Sequence, residues 1–260
     1  MDIDPTFLII VGVALVIAIG IFAWHLEKKR REAIIAWAKA RGYRFDARKR
    51  RNPRLDFSPF GQGHSRWTRY HLTKEFPEAV PGLDSAGFDL FEYHYAVTRR
   101  SGKSSSTSHY HFTCALVSAG LDLGDMTIRR EHWGDKLVQA LGFDDIDFED
   151  HEFSKKFMVK GRDRKRVYGV IDRRMMTFLL SRGKWMIETL GDTLFVHMSG
   201  KPNVERLDRL EAFVTGFLKA LPRTLVNEER ERRGLPPVLD AGSAAEHHGH
   251  LGEGSRGGDE

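Results

Sequence analysis

The hydrophobic pattern divides the chain into unlike parts. Positions 7 to 24, FLIIVGVALVIAIGIFAW, hold no charged residue, and His25-Leu26-Glu27-Lys28-Lys29-Arg30-Arg31 follows at once. At about 1.5 Å of rise per residue, a helix of this length covers roughly 27 Å, close to the hydrocarbon thickness of a bilayer. A buried helix of a soluble domain would show a polar stripe, and a cleaved secretory signal would begin with a basic segment and end in small residues. The run shows neither, and Asp2 and Asp4 precede it with no Lys or Arg. The pattern therefore predicts one transmembrane helix at 7–24, with Trp24 in the interfacial belt and a short extracytoplasmic stretch at 1–6.

From Glu27 to Arg41 the apolar positions Ala33, Ile34, Trp37 and Ala38 recur at helical spacing and Gly42 stands where a C-cap belongs, so the helix continues past the membrane. Asp46 to Pro59 has turn formers and charge without periodicity and reads as an exposed connection. Residues 25–56 are thus expected to form a basic juxtamembrane helix and linker, and 57–222 a folded domain.

Within that domain Phe91, Tyr93, Tyr95 and Val97 alternate with Glu92, His94 and Ala96, and Tyr110, Phe112, Cys114 and Leu116 alternate with His111, Thr113 and Ala115. Both runs read as strands, joined by a long polar loop, TRRSGKSSSTS. Arg66 to Thr73, Met126 to Ile128 and Phe157 to Lys160 are further strand candidates. Glu131 to Leu141 reads as a short helix, and Asp163 to Leu180 as one long or two short ones. Trp185 to Leu190 and Thr193 to Met198 flank Gly191-Asp192, a hairpin signal of type II′. In that register Trp185 faces Met198, Ile187 faces Val196 and Thr189 faces Leu194, all fit for a core. Val204 to Leu221 is an amphipathic helix stopped by Pro222. The order predicts an α+β fold with a largely antiparallel sheet, and 142–156 is where the domain could subdivide. From Arg223 apolar periodicity is lost, and 223–260 is expected to be a disordered polar tail.

Charge sharpens the picture. The net charge is +5, but the chain through Arg54 holds twelve Lys and Arg against five Asp and Glu, a net of +7, which leaves −2 for the remainder. The basic character is therefore juxtamembrane, which argues against nucleic acid as a partner. By the positive-inside bias the domain is expected in the cytoplasm and the amino terminus outside, in the plasma (inner) membrane. Lys28, Lys29, Arg30, Arg31, Arg48, Lys49, Arg50 and Arg51 are the candidate contacts to anionic lipid headgroups. A single cysteine, Cys114, excludes an internal disulfide framework.

Candidate chemistry is sparse. Matching the aromatic faces of the two central strands places Tyr95 opposite Tyr110, Phe91 opposite Cys114 and His94 opposite His111, with His109 two positions along and Glu92 diagonal. Three imidazoles and a carboxylate on one face have the ligand types of a zinc site, although diagnostic zinc spacing is absent; the plainer expectation is a solvated polar face. Gly102-Lys103-Ser104 lacks the first glycine of a phosphate-binding loop and reads as a hairpin tip. The acidic segment 143–153 lacks the central glycine of an EF-hand loop, and with the cationic stretch after it reads as solvated surface. Cys114 reads as a small core residue. No catalytic residue is assigned and no cofactor is expected.

Leu90 to Val97 (LFEYHYAV), Leu141 to Gly161 (LGFDDIDFEDHEFSKKFMVKG) and Phe178 to Val196 (FLLSRGKWMIETLGDTLFV), with the amino-terminal anchor, resemble a group of uncharacterised bacterial single-pass membrane proteins in layout over roughly residues 7 to 221. The resemblance implies a bacterial, membrane-tethered protein and carries over no catalytic residue. The sequence thus favours a non-catalytic, membrane-anchored domain that binds a protein partner or a lipid surface. The competing class is a membrane-tethered metal-dependent enzyme built on the histidine cluster.

Overall fold

The computed structural model describes residues 5–76, 80, 82–83, 86–102, 104–130, 145–182 and 185–238. The helix expected at 131–141, the start of the acidic segment and the end of the tail lie outside the described residues. The fold is α+β. One helix, α1 (Pro5–Ala40), runs without a break from the apolar segment into the domain, and part of it is long and apolar enough to cross a membrane. It closes in a Schellman arrangement: Gly42 takes φ +73°, Gly42 N–H donates to Lys39 O, and Tyr43 N–H donates to Ala38 O at 2.9 Å.

After it come β1 (Arg44–Asp46), β2 (Arg50–Arg51), β3 (His64–Phe76), β4 (Ala86–Ser101), β5 (Ser104–Ser118), β6 (Met126–Arg130), α2 (His151–Lys156), β7 (Phe157–Gly161), α3 (Arg164–Val170), α4 (Arg173–Ser181), β8 (Met186–Leu190), β9 (Thr193–Ser199), α5 (Val204–Ala220) and α6 (Arg223–Arg232). The described strands form one antiparallel sheet in the order β1-β3-β4-β5-β9-β8-β6-β7, with β2 also on β3. Asp150, Asp163, Asp172 and Asn203 cap α2 to α5 by accepting from backbone N–H groups of the first turn.

The sheet has a helix side and an aromatic side. On the helix side Leu72, Phe88, Leu90, Ala115, Ile128, Ile187 and Val196 pack in one buried cluster with Ile34 and Trp37 of α1 and Leu207, Leu210, Phe213 and Phe217 of α5. Gly216 permits the crossing of α5 with α4, since a Cβ there would sit 2.7 Å from the Phe178 ring. On the other side Phe91, Tyr93, Tyr95, Phe112, Cys114 and Phe195 form a second cluster under Phe57 and Phe60. Phe57 stacks on Phe195 at 5.1 Å.

The hairpin register matches the expectation: Ile187 pairs Val196, Thr189 pairs Leu194, and Gly191 takes φ +57° at the turn. So does the central one, with Tyr95 on Tyr110, Phe91 on Cys114 and His94 on His111.

Several expectations are corrected. The stretch 25–56 is not a linker outside the fold, because Ile34, Trp37, Ala38 and Tyr43 are core residues and β1 and β2 extend the sheet. The polar "loop" at 98–108 is strand up to Ser101↔Ser104. Cross-strand pairing of Thr and Ser, such as the 2.8 Å bond between the Thr98 and Thr107 hydroxyls, sustains it without apolar alternation. The tail does not begin at Arg223, where α6 starts and buries Leu225 and Val226; two buried residues in one turn are too few to register as periodicity.

Candidate functional site: a basic collar clamped to the sheet

The residues proposed for lipid contact lie in two stretches about twenty positions apart, and pairing of β2 with β3 brings the second stretch back onto the sheet. Arg50 pairs Thr68 and Arg51 pairs Trp67. Asp46 gathers the side chains of this stretch, accepting from Arg48 at 3.0 Å and from Arg50 at 3.2 Å. All four cationic side chains from Arg48 to Arg51 stay on the surface. Arg48 and Arg50, with Arg31, Ile35, Arg44 and Phe45, line an open groove of about 650 Å³ beside α1. The Lys49 ammonium lies 4.5 Å from the centre of the Trp67 ring, which holds this segment against β3. Asp46 is kept well below the usual carboxylate range by the Arg48 side chain and backbone N–H and by Arg50.

Arg30 does not belong to this collar. Its guanidinium turns inward, donating to Glu27 at 2.6 Å and to the Pro202 carbonyl at 3.1 Å, and it stands 3.5 Å from Glu92. Glu92 is fully buried on β4, where its Oε2 accepts from Arg69 Nε at 2.9 Å and its Oε1 meets His111 Nδ1 at 2.9 Å. Arg69 also pairs with Glu27 at 3.1 Å, and the Tyr70 hydroxyl donates to Glu27 at the same distance. Tyr70 reaches this side because β3 carries one extra residue between Arg69 and Leu72, and Tyr70 takes φ +58° there. The polar row of β4 is therefore not a solvated face, as expected from its alternation, but the buried seat of α1. Farther along, Trp37 Nε1 donates to Asp208 at 2.7 Å and the Tyr43 hydroxyl to Glu211 at 3.0 Å, which ties α1 to α5.

The proposed metal ligands are brought together by the predicted register, but they are engaged with other groups. His94 Nδ1 meets the Ser65 carbonyl at 3.1 Å, His94 Nε2 meets His109 Nδ1 at 3.1 Å, and Trp67 stacks on the His94 ring. Both Glu92 oxygens are held by His111 and the arginines. Burial lowers the pKa of His94, with the neighbouring imidazoles adding to it; burial likewise lowers that of His111, outweighing the Glu92 contact. Among the described residues no three His, Cys, Asp or Glu are arranged to hold a metal ion. The cluster cross-links β3, β4 and β5. Cys114 is buried in the aromatic cluster, where burial pushes its thiol pKa up, as suits a packing residue.

Sequence reasoning missed Glu27, Arg69 and Tyr70, whose partners are set by the bulge and by the docking of α1. It also missed two buried titratable groups in the β8–β9 hairpin. Glu188 accepts from Ser58 N–H at 3.0 Å through one oxygen, while its other oxygen and both ring nitrogens of His197 have no hydrogen-bond partner among the described residues.

No protein-family profile and no curated protein matches the chain. Among solved structures, the crystal structure of the mycobacterial trehalose monomycolate transport factor A is similar, with 13% identity and a TM-score of 0.50 over 80% of this chain and 97% of that one. At that identity the likeness is one of fold.

Proposed function

We propose that the chain is a single-pass protein of a bacterial plasma membrane whose α+β domain is a non-catalytic binding module for anionic lipid headgroups at the cytoplasmic face. The observation that carries this reading is the convergence of Arg31 with Arg44, Arg48 and Arg50 on one groove beside the helix that leaves the apolar segment, with Lys28 and Lys29 exposed on that helix and Lys49 and Arg51 exposed on the neighbouring strand segment. Each cation near an anionic surface contributes about 1 kcal/mol. The positive-inside bias supports a cytoplasmic domain. The similar solved structure is named for trehalose monomycolate transport, which is in keeping with a lipid-related role. Against an enzyme reading, the histidines and Glu92 are spent on one another and on α1.

The test is lipid selectivity around the full-length protein, read by electron paramagnetic resonance with spin-labelled phosphatidylglycerol and phosphatidylcholine. Phosphatidylglycerol should associate preferentially, the preference should fall as salt rises, and Arg48→Glu/Arg50→Glu/Arg51→Glu should remove most of it. Equal association of the two lipids with the natural chain would refute the proposal.

A further inference from the structure

The β4–β5 ribbon beyond Val97 contributes no residue to either cluster. Its side chains from Thr98 to Ser101 and from Ser104 to Tyr110 are exposed. The sequence from Thr98 to Ser108 contains Arg99, Arg100 and Lys103 and no Asp or Glu. Two sets of contacts fix the sense in which it points. At the end of α1 remote from the apolar segment, Tyr43 packs edge-on to Phe76, which packs on Phe88 of β4. Toward the apolar segment, Arg30 meets Glu92. Passing from Phe88 to Glu92 along β4 therefore means passing toward the membrane along α1, and the ribbon continues in that sense.

Lengths then limit where it can lie. From Arg30 back to Trp24 the helix rises about 9 Å, whereas β4 from Glu92 to Ser101 extends about 30 Å. Running parallel to α1, the ribbon would enter the hydrocarbon, where Ser, Thr and Arg side chains are strongly disfavoured. A two-stranded ribbon twists readily, and inclining across the headgroup layer removes the conflict.

Resting on the reading of the domain as a headgroup-binding module, we infer that the β4–β5 ribbon is a second, electrostatic attachment to the same leaflet, with Arg99 and Arg100 against the phosphates of anionic lipids. The collar and the ribbon then contact the bilayer on separate elements, so that the domain is supported at two places rather than hanging from one helix.

The experiment uses the full chain in nanodiscs of phosphatidylcholine with or without phosphatidylglycerol, each doped with a headgroup-nitroxide lipid. A fluorophore is placed at Thr107→Cys or, separately, at Lys49→Cys; buried Cys114 is shielded from the label. The Thr107 label should be quenched at least threefold more in the anionic discs, and Arg99→Glu/Arg100→Glu should abolish that difference while leaving the Lys49 signal unchanged. Quenching at Lys49 without quenching at Thr107 would overturn the ribbon attachment and leave the collar standing. Quenching at neither site would overturn both. Quenching at Thr107 that is indifferent to lipid charge and to the double substitution would overturn the electrostatic contact.

Discussion

Glu92→Ala should lower the thermal midpoint of the full-length protein by roughly 6–12 °C, the shift that about 3 kcal/mol produces in a domain of this size. The substitution takes from the Arg69 and Arg30 guanidiniums, 22% and 15% exposed, the buried one of their two carboxylate partners and leaves them only the half-buried Glu27. Removing one partner of a buried charge pair typically costs about 3–5 kcal/mol, and the residual exposure of the arginines places this case near the lower end. Glu92→Met combined with Arg69→Met should recover part of the loss, because it also deletes the cation that Glu92→Ala deprives of its buried partner. Lys28→Ala, on the exposed side of α1, should change stability by less than about 0.5 kcal/mol. A Glu92→Ala loss no larger than that of Lys28→Ala would mean that the seat of α1 does not depend on this carboxylate.

The second large effect concerns pH. Burial pushes the Glu188 pKa up to about 7, opposed only in part by the Ser58 N–H, and pushes that of His197 down to about 4. For the acid, the native state holds its proton longer than the unfolded chain, so stability is lost as pH rises from the ordinary carboxylate range to about 7. For the base, the native state resists protonation, so stability is lost as pH falls from the ordinary imidazole range to about 4. The two slopes oppose one another across mildly acidic pH and largely cancel in the natural chain. Glu188→Gln keeps an acceptor for Ser58 and should stabilise the protein at pH 8 by about 3 kcal/mol, unmasking a stability that climbs with pH through the acidic range. His197→Phe should show the reverse slope. Denaturant midpoints measured from pH 4 to pH 8 decide it, and parallel profiles for the three proteins would contradict the account.

The apolar stripe of α1, the alternation of β4 and β5 and the Gly191-Asp192 turn are local signals, and the strands and both hairpin registers followed from them. What could not be read locally was the docking of α1. Alternation shows which β4 residues share a face but not what covers that face, so Glu92 and His94 read as solvated when Arg30, Arg69 and Trp67 enclose them. The bulge at Tyr70 has no sequence signature, since neither glycine nor a turn former marks it. Lys28 to Arg31 and Arg48 to Arg51 were legible as basic stretches; that Arg30 leaves the first and joins a buried network depends on a contact 62 positions away. Glu188 and His197 sit within an apolar hairpin pattern that gives no warning of their burial with unpartnered atoms.

Helix α1 passes from the apolar segment into the core of the domain without a break and so fixes the orientation of the collar. Spin labels at Phe22→Cys, in the exposed apolar segment, and at Arg209→Cys, on the outer face of α5, report on it directly through their pulsed-resonance distance distribution. A continuous helix seated through Arg30, Trp37 and Tyr43 predicts one narrow distance, the same in detergent and in anionic nanodiscs. A broad or bimodal distribution, or one that changes with the lipid, would show that the domain swings on the membrane helix and would contradict the account.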